Sequence, residues 1–483
     1  MALRTVDEYV QSLRDSRTVY FRGQRVADVT THPVIAVAVQ HAAIDYRLAE
    51  DPQHRALCVV GDGADAYSRY YQVPRSSDDL LQRSALIELA TAEGGTLVVL
   101  IKEIGTDALA GLLRISSAMD ETLGTDYHRR VAAFHEHCRV HDLAVAVAQT
   151  DVKGDRSLAP SAQTDPDLYV HIVERRSDGI VVRGAKAHTS VSTNANELIV
   201  LPTRALAEAD RDYAVSFAIP INTPGLTLLA SAFDSAATLG SPVEHPISAR
   251  HKMMETTTVF DDVFVPWERV FLAGESAFAG PLALAFVEHH RFTAISYKLP
   301  LVDALVGAAA MMADVNGIAN AGHVREKFVR LISYAETLRG LTRYAAMMAR
   351  PREAGVFVPD PLYVNMAKYH FAHGYHEAIR DVQDIAGGSL VTGPGAEDLS
   401  SPETAPYYQK YYAGRGVSGT DRLKALALVK DLVASGFGAY QEVLAVHAEG
   451  SLEAEKLMVL RSYDRRPALN FVRRLAGLPH GKA

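Results

Sequence analysis

Cysteine and tryptophan are almost missing from this chain: its 483 residues hold two Cys, Cys58 and Cys138, and one Trp, Trp267. Two thiols build neither a disulfide framework nor a four-thiolate metal site, so both read as small core hydrophobes in a reducing, cytoplasmic setting. A basic excess is missing as well, since 49 Lys and Arg stand against 57 Asp and Glu for a net charge of −8. Without a basic stripe, no nucleic-acid partner is expected. No stretch of about 18 residues is both apolar and uncharged, and Met1-Ala-Leu-Arg-Thr-Val-Asp-Glu8 has no apolar core behind Arg4. Neither membrane insertion nor secretion is signalled. Gly61-Asp-Gly-Ala-Asp65 stops short of a dinucleotide fingerprint and follows no βαβ pattern, so the chain is expected to lack a nicotinamide site of its own.

What is present is a 48 % hydrophobic composition, enough at this length for two or three cores. Up to about Val140 the apolar residues recur at helical spacing, as in Ser84-Ala-Leu-Ile-Glu-Leu-Ala90 and Leu109-Ala-Gly-Leu-Leu-Arg-Ile115. From Leu143 to Val270 short Val/Ile-rich runs take over, bounded by Gly, Pro, Asn and Asp, which suggests a β-barrel or sandwich. Arg176-Ser-Asp-Gly179 between two such runs reads as a hairpin turn. Helical periodicity returns near Ala277, and Val302–Asn316, Arg325–Arg350 and Leu362–Ile385 suit a bundle. Gly387–Pro406 reads as a long ordered loop. The expected class is α+β: an N-terminal helical domain over 1–142, a β-domain over 143–276 and a C-terminal helical bundle over 277–483.

The most distinctive identities run through Thr150-Asp-Val-Lys-Gly-Asp-Arg-Ser-Leu-Ala-Pro160, Gln163-Thr-Asp-Pro-Asp-Leu-Tyr-Val-His171 and Gly184-Ala-Lys-Ala-His188. Polar loop residues alternate there with strand runs, and a ligand would account for such placement. By composition alone, Lys153 and Arg156 with their neighbouring carboxylates read equally as a solvated surface network. Taken together, the identities resemble the 4-hydroxyphenylacetate 3-hydroxylase and 4-hydroxybutyryl-CoA dehydratase superfamily, flavoproteins built like acyl-CoA dehydrogenases. The likeness extends from about residue 5 to about residue 465 and is densest from Leu143 to Glu275.

The resemblance implies FAD as cofactor, with Thr150 and Asp151 against the isoalloxazine ring and Lys153 and Arg156 in the same loop. Ser190 stands where the family has a threonine near the ring's reactive edge, and it keeps the hydroxyl that can donate to a ring nitrogen. The family's paired glycines correspond to Gly387-Gly388, where close backbone approach to a cofactor and a helix C-cap are both adequate readings. Glu255 aligns with a glutamate of the dehydratase branch, as an acid or base or as a solvated strand-end carboxylate. In that branch a histidine and three cysteines bind a four-iron cluster, and the resemblance puts them at His290, Tyr297, Ala118 and Thr122. Thiolate ligation is then impossible, so no metal and no iron-sulfur cluster are expected. Lys298 is retained. The hydroxylase branch's phenol-binding arginine, tyrosine and histidine fall near Leu123, Tyr127 and Val147, which keeps only Tyr127. His370, His373 and His376 have metal-compatible spacing but no further ligand in view, and read as interfacial. Phe260-Asp-Asp-Val-Phe-Val-Pro-Trp267 reads as architecture, with Trp267 packed at a joint between domains.

The leading expectation is a two-component monooxygenase that takes FADH2 from a separate reductase and hydroxylates a phenolic or similar electron-rich small molecule. Ser190 would serve the flavin, and Tyr127 or His290 the substrate. The alternative is a redox-neutral dehydratase-like or isomerase-like enzyme without the cluster, using His290 and Glu255 as acid and base, and a further alternative is a non-catalytic flavin-fold binding protein. A homotetramer is implied by the resemblance.

Overall fold

The computed structural model describes residues 3–233 and 241–479; Met1 and Ala2 of the N-terminal segment lie outside them. The two longest strands, Gly179–Ser190 and Glu255–Pro266, pair antiparallel at the centre of a six-stranded sheet. Their apolar residues alternate into the core, where Ile180, Val182, Phe260, Val263 and Val265 are buried. His171–Arg175 joins one side through the expected hairpin, closed by the Arg176 N–H donating to the Gly179 carbonyl at 2.8 Å. Leu226–Ser231 joins the other side. A four-stranded sheet carries Val270–Ala273, Val215–Pro220, Glu197–Val200 and Val145–Ala148 in that order.

The region before residue 142 is not purely helical. Thr18–Phe21 pairs in parallel with Leu226–Ser231, and Gln24–Arg25 completes that edge. The Thr18–Phe21 run buries Val19 and Phe21 on one face, but its partner lies some two hundred residues away, beyond the reach of local periodicity. Helical segments otherwise dominate there, and Glu103–Leu123 lies against the long helix Ser276–Val315.

That long helix continues through Pro281 and Pro300, so the stretch before Val302 belongs to the same element. Pro300 has no N–H to offer the Ser296 carbonyl, a local weakening that sits two residues beyond Lys298. Gly322–Met347 and Pro361–Ala386 pack with it as the core of the C-terminal bundle. The expected loop Gly387–Pro406 contains two short helices, Ser389–Thr392 and Ala396–Ser400. No helix among the described residues is long and apolar enough to cross a membrane. Trp267 lies at the junction of the β-sheets and the helix Tyr127–Val140: its indole donates to the Arg176 carbonyl at 3.1 Å, and Arg130 donates to the Trp267 carbonyl at 3.0 Å.

Candidate active site

The register of the two central strands sets Ser190 opposite Glu255. The Ser190 hydroxyl lies 3.0 and 2.9 Å from the two Glu255 oxygens, and the Tyr440 hydroxyl, from helix Gly436–His447, lies 3.1 Å from Oε1. Burial pushes the Glu255 carboxyl up to about 7, against the opposing pull of the two hydroxyls. The backbone on either side of Ser190 is unusual, because His188 and Val191 both have left-handed φ, 54° and 55°. A β-branched residue rarely adopts that region. Val191 is held there by its N–H donating to the Met254 carbonyl at 2.9 Å, just before Glu255.

A second knot of charge faces this one across the seam between sheet and bundle. Glu449 has left-handed φ, 56°, directly after the Tyr440 helix, and its carboxylate accepts from Lys298 Nζ at 3.0 Å and from the Tyr297 hydroxyl. Lys368, fully buried on Pro361–Ala386, lies 3.8 Å from Glu449 and 3.3 Å from Glu455. Burial alone would raise the Glu449 carboxyl, but Lys298 and Lys368, with smaller help from His290 and Tyr297, hold it at about 2. Burial pulls the Lys298 ammonium down to about 8 against the restraining Glu449 charge. Tyr440 and Glu255 both add to the field that raises the Tyr297 hydroxyl, so the two knots form one electrostatic unit.

His290 lies on the long helix and pairs with a different carboxylate. Its Nδ1 lies 3.1 Å from Asp107 Oδ2 on helix Glu103–Leu123, and Phe286 stacks on its ring with centroids 5.0 Å apart. Asp107 Oδ1 accepts from Arg83 Nη2 at 2.8 Å and from the Thr293 hydroxyl at 2.9 Å. A carboxylate therefore stands directly beside His290. Arg291 turns away, to the Glu449 carbonyl at 2.8 Å and Asn365 at 2.6 Å, and Lys298 is paired with Glu449.

Ser190 thus meets Glu255, Lys298 pairs with Glu449 and His290 with Asp107, whereas Tyr127 stands apart from all three. The Tyr127 hydroxyl donates to Glu275 at 2.9 Å, at the start of the long helix, about 22 Å of helix before His290. Ala118 and Thr122 likewise lie about 16 and 22 Å along their helix from Asp107, so neither stands beside His290 as the resemblance implied. Cys58 and Cys138 are buried without a bonded partner. His370 bonds the Tyr334 carbonyl, His373 stacks on Tyr369, and His376 approaches Glu442, so these three share no centre.

The Thr150 carbonyl accepts from the Ala187 N–H at 2.9 Å, about 10 Å along the strand from Ser190. Asp151 is occupied by Lys186 at 2.7 Å, with Arg204 at 3.5 Å, and so braces the strand. Lys153 and Arg156 are exposed, and the Lys153 carbonyl accepts from the Tyr169 hydroxyl at 2.9 Å. Gly387 caps helix Pro361–Ala386 with φ 82°, and a Cβ at Gly387 or Gly388 would meet nothing within 4 Å. Asp107, Tyr440, Glu449 and Lys368 were not singled out from the sequence. Glu449-Gly450 carries a turn signal, but nothing local distinguishes the other three from ordinary helix residues.

The chain belongs to the 4-hydroxyphenylacetate 3-hydroxylase family: the family's N-terminal part matches residues 5–272 and its C-terminal part residues 279–477. It is 33 % identical to the 4-hydroxybutyryl-CoA dehydratase/vinylacetyl-CoA-Δ-isomerase of Clostridium aminobutyricum, over 99 % of this chain and 100 % of that one. Among solved structures it is similar to an oxygen-tolerant archaeal 4-hydroxybutyryl-CoA dehydratase from N. maritimus, at 31 % identity and TM-score 0.92, covering 99 % of this chain and 96 % of that one. It is also similar to the FAD-bound oxygenase component of 4-hydroxyphenylacetate 3-monooxygenase, at 28 % identity and TM-score 0.90, covering 98 % of each. The family supports a flavin cofactor and an enzyme. Of the residues expected at a flavin, Ser190 directs its hydroxyl to Glu255, and Gly387 and Gly388 leave open space within 4 Å.

Proposed function

We propose that this chain is a flavin-dependent enzyme that moves protons on a small acyl substrate without net oxidation, as an isomerase or lyase. The observation that carries the reading is the largely buried Glu255 carboxyl held by the Ser190 and Tyr440 hydroxyls, with the Lys298–Glu449 pair and the Asp107-bound His290 on the neighbouring bundle. A Glu255 carboxyl near 7 exchanges its proton at neutral pH, and a histidine is the usual partner for such transfer. His290 would take a proton from an activated carbon, Glu255 would return one to another carbon, and the Lys298 ammonium would stabilise charge developing on a carbonyl oxygen. Thr150, Ser190 and the Gly387-Gly388 backbone would hold FAD, with Asp151, Lys153 and Arg156 shaping the loop beside it. The bound flavin supplies an electron-pair acceptor and donor next to the substrate. The name of the Clostridium relative supports a short-chain thioester as the substrate class.

The second reading is the FADH2-utilising monooxygenase with a separate reductase, supported by the family match and the FAD-bound oxygenase component. It loses Tyr127 as a substrate-side group, since Tyr127 is paired with Glu275. The test has two arms. FAD-loaded protein and vinylacetyl-CoA, incubated under nitrogen in D2O, are expected to give the conjugated 2-enoyl isomer carrying deuterium. FADH2 from an added reductase, oxygen and 4-hydroxyphenylacetate form the other arm. Hydroxylation there, with no exchange in the first, would replace the first reading by the second. Flavin binding with neither reaction on a panel of thioesters and phenols would favour a non-catalytic binding protein. We infer a homotetramer as the working assembly, by analogy with the superfamily.

A further inference from the structure

We propose that Asp107 is a positioning residue that fixes the tautomer of His290, so that Nδ1 carries a proton and Nε2 presents its lone pair to the substrate. The inference rests on the acid-base role proposed for His290 and adds how the fold prepares it. Asp107 is 1 % exposed, and its carboxyl is held below the usual carboxylate range: burial acts to raise it, but Arg83 and the His290 hydrogen bond outweigh that effect. A carboxylate only accepts hydrogen bonds. Since Oδ1 is engaged by Arg83 and Thr293, and Oδ2 lies 3.1 Å from His290 Nδ1, the proton on that contact must belong to the imidazole. Nε2 makes no hydrogen bond among the described residues.

Three elements make the arrangement rigid. Arg83, from helix Ser77–Glu93, also donates to the Tyr70 and Glu103 carbonyls at 3.1 and 3.0 Å, so it cannot follow a displaced Asp107. Thr293 is one helical turn from His290 on the same helix, which couples carboxylate and ring to one backbone segment. Phe286, a turn earlier, stacks on the ring and limits its rotation. His289, the adjacent histidine, is driven down to about 3 by burial and stays neutral, so it does not compete for Asp107 as a cation.

The proposal separates from a merely structural role by acting only through His290. Single variants Asp107→Asn and His290→Gln and the double variant are compared in the exchange and hydroxylation assays above, with melting temperature and FAD binding measured on each. His290→Gln is expected to lose about a hundredfold, the scale of general acid-base removal. Asp107→Asn is expected to lose at least about tenfold, and to cost less than about twofold in the His290→Gln background. Full activity in Asp107→Asn with an inactive His290→Gln overturns the positioning role alone. Full activity in His290→Gln overturns both that role and the reading beneath it. A readout independent of turnover is nitrogen-15 NMR of labelled histidine in the unsubstituted protein, with the His290 signal assigned by its loss in His290→Gln. The neutral ring is expected as the Nδ1–H tautomer; an Nε2–H tautomer overturns the proposal even if Asp107→Asn does not fold.

Discussion

Glu255 shows how a single residue's environment sets its chemistry. A carboxyl at a strand end would ordinarily be ionised above about pH 4.5, yet burial carries this one to about 7 despite two hydroxyl partners. The sign of the stability effect follows. Between those pH values the folded protein retains a proton that the unfolded chain has released, so stability falls as pH rises through the window. Glu255→Gln is expected to flatten that fall in thermal melts taken from pH 4.5 to pH 7.5. It is also expected to lower turnover by about a hundredfold if Glu255 returns the proton. A variant that keeps the wild-type stability profile would mean that Glu255 does not titrate there.

At the scale of elements, the end of strand Gly179–Ser190 carries backbone strain in the place where the side chain matters most. Left-handed φ at Val191 costs about 1–3 kcal/mol, and burial of its side chain returns about 1.5–3 kcal/mol, so the two nearly cancel. Val191→Gly is therefore expected to change stability by less than about 1.5 kcal/mol while loosening Ser190 and Glu255, with turnover reduced about tenfold. A calorimetric melt beside a turnover assay checks both, and unchanged turnover would mean that Ser190 is held by the strand pairing alone. The long helix poses the complementary case. Periodicity pointed to a segment starting at Val302, but tertiary packing against Glu103–Leu123 carries one helix across Pro281 and Pro300. Such packing is invisible to local propensity.

For the whole molecule, the two buried thiols, Cys58 and Cys138, fall short of the three that the dehydratase branch pairs with its histidine. Purified protein is expected to contain no stoichiometric iron and no acid-labile sulfide by elemental and colorimetric analysis. Assembly offers a further check. Helix Arg466–Leu475 leaves Leu469, Phe471, Val472 and Leu475 each at least half exposed, an apolar face that the inferred tetramer could cover. Light scattering is expected to return four times the chain mass, and Leu469→Glu with Leu475→Glu to lower it if that face is buried in the assembly.

Local signals in the sequence determined the Arg176–Gly179 hairpin and the strand runs around it, because periodicity and turn chemistry act over a few residues. Resemblance carried the family, the flavin and the candidacy of His290 and Lys298. Only the tertiary structure decided which of those residues meet. It separated Tyr127, Ala118 and Thr122 from His290 by the length of their helices, and it brought up Asp107, Tyr440, Glu449 and Lys368 from segments hundreds of residues apart in some cases. Contacts of that range depend on how helices pack on a sheet, and no spacing rule along one chain contains them.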